Sequence, residues 1–290
     1  MTSTSAADPS STMEETPNWL EMPDEIIGII LQRLGVVEIL ITAQKVCTAW
    51  RRICKDPAMW KVIDMHHSFD DCDTDYDIEQ LTKQAVVRSC GELIDISLEC
   101  FGTDDLLDYI SRSSSKLKCL RLTNCDDITR NGLTHALKML PHLETLQVFN
   151  VSICSEDIEV IGRSCPNLKS FMKKTHFIEY GADALAIANN MPALRHLQLF
   201  GCTVPDDCLQ AILHGCPHLE SLDLRGCFYL LLDGNLEELC RERIKDFKFI
   251  RHNLPTEEYE FSDMDLSDYE HYEFSDSSAI SEDQDDYYFL

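Results

Sequence analysis

Apolar positions along the chain follow a repeating pattern from about residue 79 to residue 250. A unit of the form Leu-x-x-Leu-x-Leu recurs at Leu93-Ile96-Leu98, Leu117-Leu120-Leu122 and Leu143-Leu146-Val148. It returns at Leu168-Phe171, Leu194-Leu197-Leu199, Leu219-Leu222-Leu224 and, more weakly, Ile244-Phe247-Phe249. The first positions are 24, 26, 25, 26, 25 and 25 residues apart. Alternate residues of a strand share a face, so the second and third apolar positions point inward together. A further apolar group follows within the units at helical spacing, as in Ile128-Leu133-Leu137, Ile158-Val160-Ile161, Leu185-Ile187-Ala188 and Leu209-Ile212-Leu213. Such groups predict short amphipathic helices. One strand–helix unit has no means of burying both faces, whereas stacked neighbours do. The pattern therefore predicts an α/β solenoid with strands inside and helices outside.

The period places these units among leucine-rich repeats, about six to seven coils of them. Cysteines fall on the same grid. Cys125, Cys202 and Cys227 each follow a third apolar position by three residues, where a small residue is buried against the next coil. Cys90, Cys165 and Cys216 each precede a first leucine by three, and Cys165-Pro166 and Cys216-Pro217 repeat one helix-ending phrase. One unit departs from the pattern: in Leu168-Lys169-Ser170-Phe171-Met172-Lys173 a lysine takes the third inward position. Either the strand shifts there or Met172 turns inward.

The N-terminal block, residues 19–60, has a different texture. Pro23, Asp24 and Glu25 suit the first turn of a helix. Ile26, Ile27, Ile30, Leu31 and Leu34 give it a dense apolar face, and Gly35 is placed to close it. A second short helix runs through Ile39, Leu40 and Ala43, and a third carries Val46, Cys47, Trp50 and Ile53. Asp56-Pro57 breaks the chain and Trp60 packs back. So small a block does not bury that much Ile, Leu and Trp by itself. The surplus implies either a partner or a cap for the repeats.

The spacing of Pro23, Asp24, Ile27, Ile30-Leu31, Leu34, Ile39-Leu40, Val46-Cys47, Trp50-Arg51, Asp56-Pro57 and Trp60 resembles the F-box pattern. Together with the repeats it resembles the F-box/leucine-rich-repeat family. Trp19-Leu20-Glu21 and Ala43-Gln44-Lys45-Val46-Cys47 bring it nearest to the small plant members. Met22 and Glu38 depart from the usual leucine and aspartate, and Gly28 lies inside the first helix. The resemblance implies a non-catalytic subunit of a ubiquitin ligase. Pro23, Ile27, Ile30, Leu31, Leu34, Ile39, Leu40, Val46, Cys47, Trp50 and Trp60 would bind a Skp-type adaptor, and through it a cullin–RING assembly. The repeats would hold a protein substrate, so rate would come from proximity. The rival expectation is a repeat scaffold whose N-terminal helices only cap the solenoid.

Composition narrows the field. A formal net charge of -26 disfavours nucleic acid. Thirteen Asp and Glu residues lie after Arg251, so an acidic tail carries about half the excess. No apolar run is long enough to span a membrane, and the Ser/Thr-rich start lacks the pattern of a secretory signal. The 14 cysteines show no zinc spacing and suit a reducing, intracellular compartment, nucleus or cytoplasm. No metal, cofactor, membrane or catalytic constellation is expected. The organisation expected is a disordered lead (1–16), an F-box (17–65), a linker (66–78), repeats (79–254) and a disordered acidic tail (255–290). Strand residues between the inward positions, Arg121, Gln147, Met172, Gln198, Asp223 and Lys248, are expected to face a substrate. Phe149 and Phe200 lie one step further along and are the more telling, because they are aromatic.

Overall fold

A computed structural model describes residues 22–65, 76–175, 181–227, 230–232 and 234–250. The chain divides at Arg251 into two parts, Met1–Arg251 and His252–Leu290. All described residues belong to the first. The expected lead, the acidic tail and most of the expected linker lie outside the described residues.

The N-terminal block is a cluster of short helices: α1 (Asp24–Gln32), α2 (Val36–Glu38), a π-helical turn (Ile39–Ala43), α3 (Gln44–Val46), α4 (Thr48–Ile53) and a 3-10 turn (Pro57–Trp60). Helix α1 carries Asp24 and Glu25 in its first turn, which complements the helix dipole. Gly35 supplies a φ of +80° between α1 and α2, a value that L side chains avoid. The Cys47 thiol caps α4 by accepting from Trp50 N at 3.4 Å, and Asp56 caps the 3-10 turn through Ala58 N at 2.9 Å.

The chain passes from Trp60 almost directly into β1 (Val62–Met65), which pairs in parallel with β2 (Asp95–Glu99). From there helix and strand alternate. The order is α5 (Ile78–Arg88), β2, α6 (Asp104–Ser113), β3 (Cys119–Thr123), α7 (Arg130–Leu137), β4 (Thr145–Phe149), α8 (Ser155–Ser164) and β5 (Ser170–Lys174). It continues through α9 (Ala182–Asn190), β6 (His196–Phe200), α10 (Asp206–Gly215), β7 (Ser221–Asp223), α11 (Gly234–Arg243) and β8 (Asp246–Lys248). The strands form one parallel sheet in sequence order. The repeat pattern anticipated seven strands, and β1 adds an eighth inside the block assigned to the F-box. Val62 and Met65 do not show the leucine signature, so periodicity missed them.

The inward leucines are sealed. Leu93, Ile96, Leu98, Leu117, Leu120, Leu122, Leu143 and Leu146 are fully buried, and one core cluster runs from Ile27 to Ile244. The grid cysteines tie coil to coil: Cys125 donates to Phe101 O at 3.0 Å and Cys227 to Leu199 O at 3.0 Å. Cys165 and Cys216 reach Leu140 O and Met191 O more loosely, at 3.7 and 3.5 Å. Cys90 is an exception to the buried pattern; it is exposed, at a φ of +52°.

At Lys173 neither expected alternative is realised. The strand keeps register, with Val148 on one side and Leu199 on the other. The lysine enters the core at 2% exposure. Its Nζ meets Asp183 Oδ2 at 2.5 Å and the Ile153 carbonyl at 3.0 Å. Asp183 sits in the first turn of α9, where the dipole favours a carboxylate. Its Oδ1 has no hydrogen-bond partner among the described residues. An incompletely satisfied buried pair adds little net stability, yet removing one partner strands a charge. Asp183→Ala is therefore expected to lower unfolding free energy by about 3–5 kcal/mol. Lys173→Met with Asp183→Leu is expected to be neutral or stabilising. Urea unfolding followed by circular dichroism checks this, and equal losses in both variants would refute it.

Candidate functional site

Two surfaces take up the residues marked by sequence, and both stand on the same core. On the N-terminal helices the eleven expected contact residues separate into two groups. Ile27, Leu31, Ile39, Leu40 and Trp60 are buried, Leu31 at 0% and Trp60 at 1% exposure. They hold the helices together and offer no surface to a partner. Pro23, Leu34 and Val46 are exposed, and Ile30, Cys47 and Trp50 are half-buried. Leu34 is 44% and Val46 60% exposed, and two residues outside the expected contact set, Ile26 (43%) and Ile29 (54%), join them. The reason is helical phase: on α1, Ile27 and Leu31 lie on the face toward the core, so Ile26, Ile29 and Ile30 fall elsewhere on the helix. A dense apolar run specifies both faces, and only burial tells them apart.

The second surface lies on the side of the sheet facing away from the buried leucines. Parallel register sets Ser97, Arg121, Gln147, Met172, Gln198, Asp223 and Lys248 in one row. A neighbouring row runs Glu99, Thr123, Phe149, Lys174, Phe200. The sequence-marked residues are thus brought together, although not all are equally available. Asp223 is 4% exposed, its carboxylate held by Arg225 at 2.5 Å, so it is occupied rather than presented. Arg121 pairs with Asp95 at 2.5 Å. Lys174, absent from the expected set, stands between Phe149 and Phe200 in register, and its Nζ lies 4.1 Å from the centre of the Phe149 ring. Such contacts fix a cation over an aromatic face. Across β4–β6 the rows Thr145-Ser170-His196, Gln147-Met172-Gln198 and Phe149-Lys174-Phe200 contain no carboxylate.

The two surfaces are braced by Arg88 at the end of α5. Its Nη1 donates to Cys54 O at 3.1 Å and its Nη2 to Gln44 Oε1 at 2.7 Å, while the guanidinium lies 5.2 Å from the Trp60 ring centre. Trp60 Nε1 donates to the same Cys54 carbonyl at 3.0 Å. Burial pulls the Arg88 pKa below its ordinary value. Nothing in the residue pattern flagged Arg88, because its partners lie 34 and 44 residues away in sequence.

No group of three metal-ligating side chains occurs among the described residues, and none of the described helices is long and apolar enough to cross a membrane. Burial pushes the thiols of Cys119, Cys125 and Cys165 up to about 12 and those of Cys216 and Cys240 to about 11. They are protonated at neutral pH and poor nucleophiles.

Comparison with known proteins matches residues 19–62 to the F-box domain. Residues 173–234 match the leucine-rich repeats of the FBD-associated F-box protein At5g56370 family. The F-box protein SKIP19 of Arabidopsis thaliana is 46% identical over 97% of this chain and 92% of its own length. Putative F-box/LRR-repeat protein 22 of the same plant is 41% identical over 93% of this chain and 86% of its own length. Putative F-box/LRR-repeat protein 23 is 45% identical over 82% of this chain, which spans 57% of that relative. With an F-box helix cluster feeding a parallel repeat sheet, and relatives this similar over nearly its whole length, the chain belongs to the plant F-box/leucine-rich-repeat family.

Proposed function

We propose that this protein is the substrate-binding subunit of an SCF-type ubiquitin ligase. Its F-box grips a Skp-family adaptor, and through it a cullin and RING subunit, while its repeats hold the protein to be modified. The observation that carries this reading is the set of exposed apolar side chains on the N-terminal helices, Ile26, Ile29, Leu34 and Val46, with Ile30 and Trp50 half-buried. The rival reading, a cap for the solenoid, accounts for α2 and the 3-10 turn, which pack on β1 and α5. A cap gains nothing from a second apolar face turned to solvent, whereas a docking helix requires one. The chain itself performs no chemistry here. It raises the local concentration of substrate near a loaded conjugating enzyme, which is a proximity effect. The protonated buried thiols agree with that role.

Two tests separate the surfaces. Leu34→Asp with Val46→Asp is expected to weaken adaptor capture by at least about tenfold, as loss of an interface anchor does. Because both residues are exposed, thermal stability is expected to hold within about 0.5 kcal/mol. Leu31→Asp is expected to unfold the N-terminal helices instead, since it places a carboxylate at a fully buried site. Full adaptor capture by the Leu34/Val46 variant in a pull-down would sink the docking reading.

Phe149→Ala with Phe200→Ala is expected to lose substrate while keeping the adaptor. Quantitative affinity purification from plant extract, with adaptor and substrate peptides counted in one sample, makes the comparison. Parallel loss of both, or of neither, contradicts it.

A further inference from the structure

One residue before each strand, the backbone forms a continuous row along the edge where strands begin. Glu144 N donates to Lys118 O at 2.8 Å, Lys169 N to Glu144 O at 2.8 Å, Arg195 N to Lys169 O at 2.7 Å and Glu220 N to Arg195 O at 2.7 Å. Lys245 ends the row, next to Asp246, whose N donates to Glu220 O at 3.1 Å. The side chains of this row form two copies of one arrangement. Glu144 receives Lys118 at 3.0 Å on one oxygen and Lys169 at 2.6 Å on the other. Glu220 receives Arg195 at 2.6 Å on one oxygen and Lys245 at 2.8 Å on the other. Each triad therefore has two cations for one carboxylate.

Several features argue against mere mutual neutralisation. Four cations against two carboxylates leave the row at +2 in a chain of net charge -26. The cations are 50–80% exposed, so water screens their pairs and the pairs add little stability. Lys169 and Arg195 stand on adjacent coils, and each turns to its own glutamate. Hydrogen bonds from Lys169 and from Lys245 hold the Glu144 and Glu220 carboxyls below the usual range, so both carboxylates are ionised at neutral pH. Beside the first triad a groove of about 450 Å³ is lined by Lys116, Lys118, His142, Asn167, Lys169 and Glu144.

We propose that this strand-entry edge is a docking surface for an acidic, extended segment of a partner protein. Its carboxylates would supply the anions that the two triads lack. Glu144 and Glu220 lie three strands apart, about 14 Å at the spacing of a sheet. Carboxylates about four residues apart on an extended chain match that interval. The surface is distinct from the rows of Phe149 and Phe200 and from the exposed apolar side chains of the F-box.

The test uses the full chain and a fluorescein-labelled peptide with glutamates four residues apart, beside its glutamine twin. Fluorescence anisotropy is expected to detect binding of the glutamate peptide at low salt, loss of it at high salt, and no binding of the twin. Lys169→Gln with Arg195→Gln is expected to weaken it by about threefold or more, the scale of exposed ion pairs. Glu144→Gln with Glu220→Gln is expected to tighten it by a similar factor, because repulsion is removed. A role in stability alone predicts the opposite for the second variant, since it destroys the same ion pairs. Weakening by both variants, equal binding of the twin peptide, or no binding at all would overturn the proposal. Adaptor capture by the same variants, measured in parallel, is expected to be unchanged; its loss would instead bear on the F-box reading.

Discussion

Backbone continuity from coil to coil is the constraint on which the rest depends. Each strand is held at entry by bonds such as Ser170 N to Glu144 O at 3.0 Å and at exit by bonds such as Asn150 N to Lys174 O at 3.0 Å. With both ends fixed, the coils have no freedom to slip, and a one-residue slip would turn every leucine outward. The exit turns need a left-handed backbone, met by Asn124 and Asn150 at φ of +51° and +53° and by Gly201 at +71°. At Gly201 a side chain is excluded outright, because a Cβ would lie 1.9 Å from the Thr175 carbonyl. Register in turn decides which residues share a row, and so it decides what the surface of the sheet can present.

The same periodicity segregates charge. Helices begin at the exit edge and end near the entry edge. Acids gather in their first turns, as at Asp104-Asp105, Glu156-Asp157 and Asp206-Asp207, while Arg88, Arg112, Arg163 and Arg241 occupy last turns. Each choice suits the helix dipole and stabilises its own coil modestly. Stacked in parallel, the helices repeat this placement from coil to coil. Within the helices much of that charge is spent locally, since Arg112, Arg163 and Arg241 each pair with an acid one turn back.

The leucine grid made the solenoid legible because burial repeats at a fixed interval and a strand exposes its period in three residues. The F-box was legible through the spacing of Pro23, Trp50 and Trp60, a pattern of identities and not of physics. What stayed hidden was contact between residues that neither period relates. Lys173 looked like a defect in a strand, and its explanation, Asp183, belongs to the next helix. Arg88 looked like an ordinary last-turn arginine. Sequence could name Leu31 and Leu34 as apolar, but Leu31 lies on the buried face of α1 whereas Leu34 falls in the turn after its end. The strand residues expected to share one row do share it in register, and Asp223 is held by Arg225.

A shared core has a mechanical consequence for the two binding ends proposed for this protein. Val62 enters the repeat sheet two residues after Trp60, and the Arg88 guanidinium spans Gln44, Cys54 and Trp60. Among the described residues, the helices that carry the exposed apolar side chains of α1 and the strands that carry the rows on β4–β6 share one core. In a flexible tether, local concentration falls as the chain explores more volume. In a braced one, the distance and angle between two partners are set once, by packing, and the cost of ordering them is met when the protein folds rather than when it binds. The fold thus converts hydrophobic burial along one axis into a fixed geometry between two surfaces, which is what a proximity mechanism asks of the subunit that carries both.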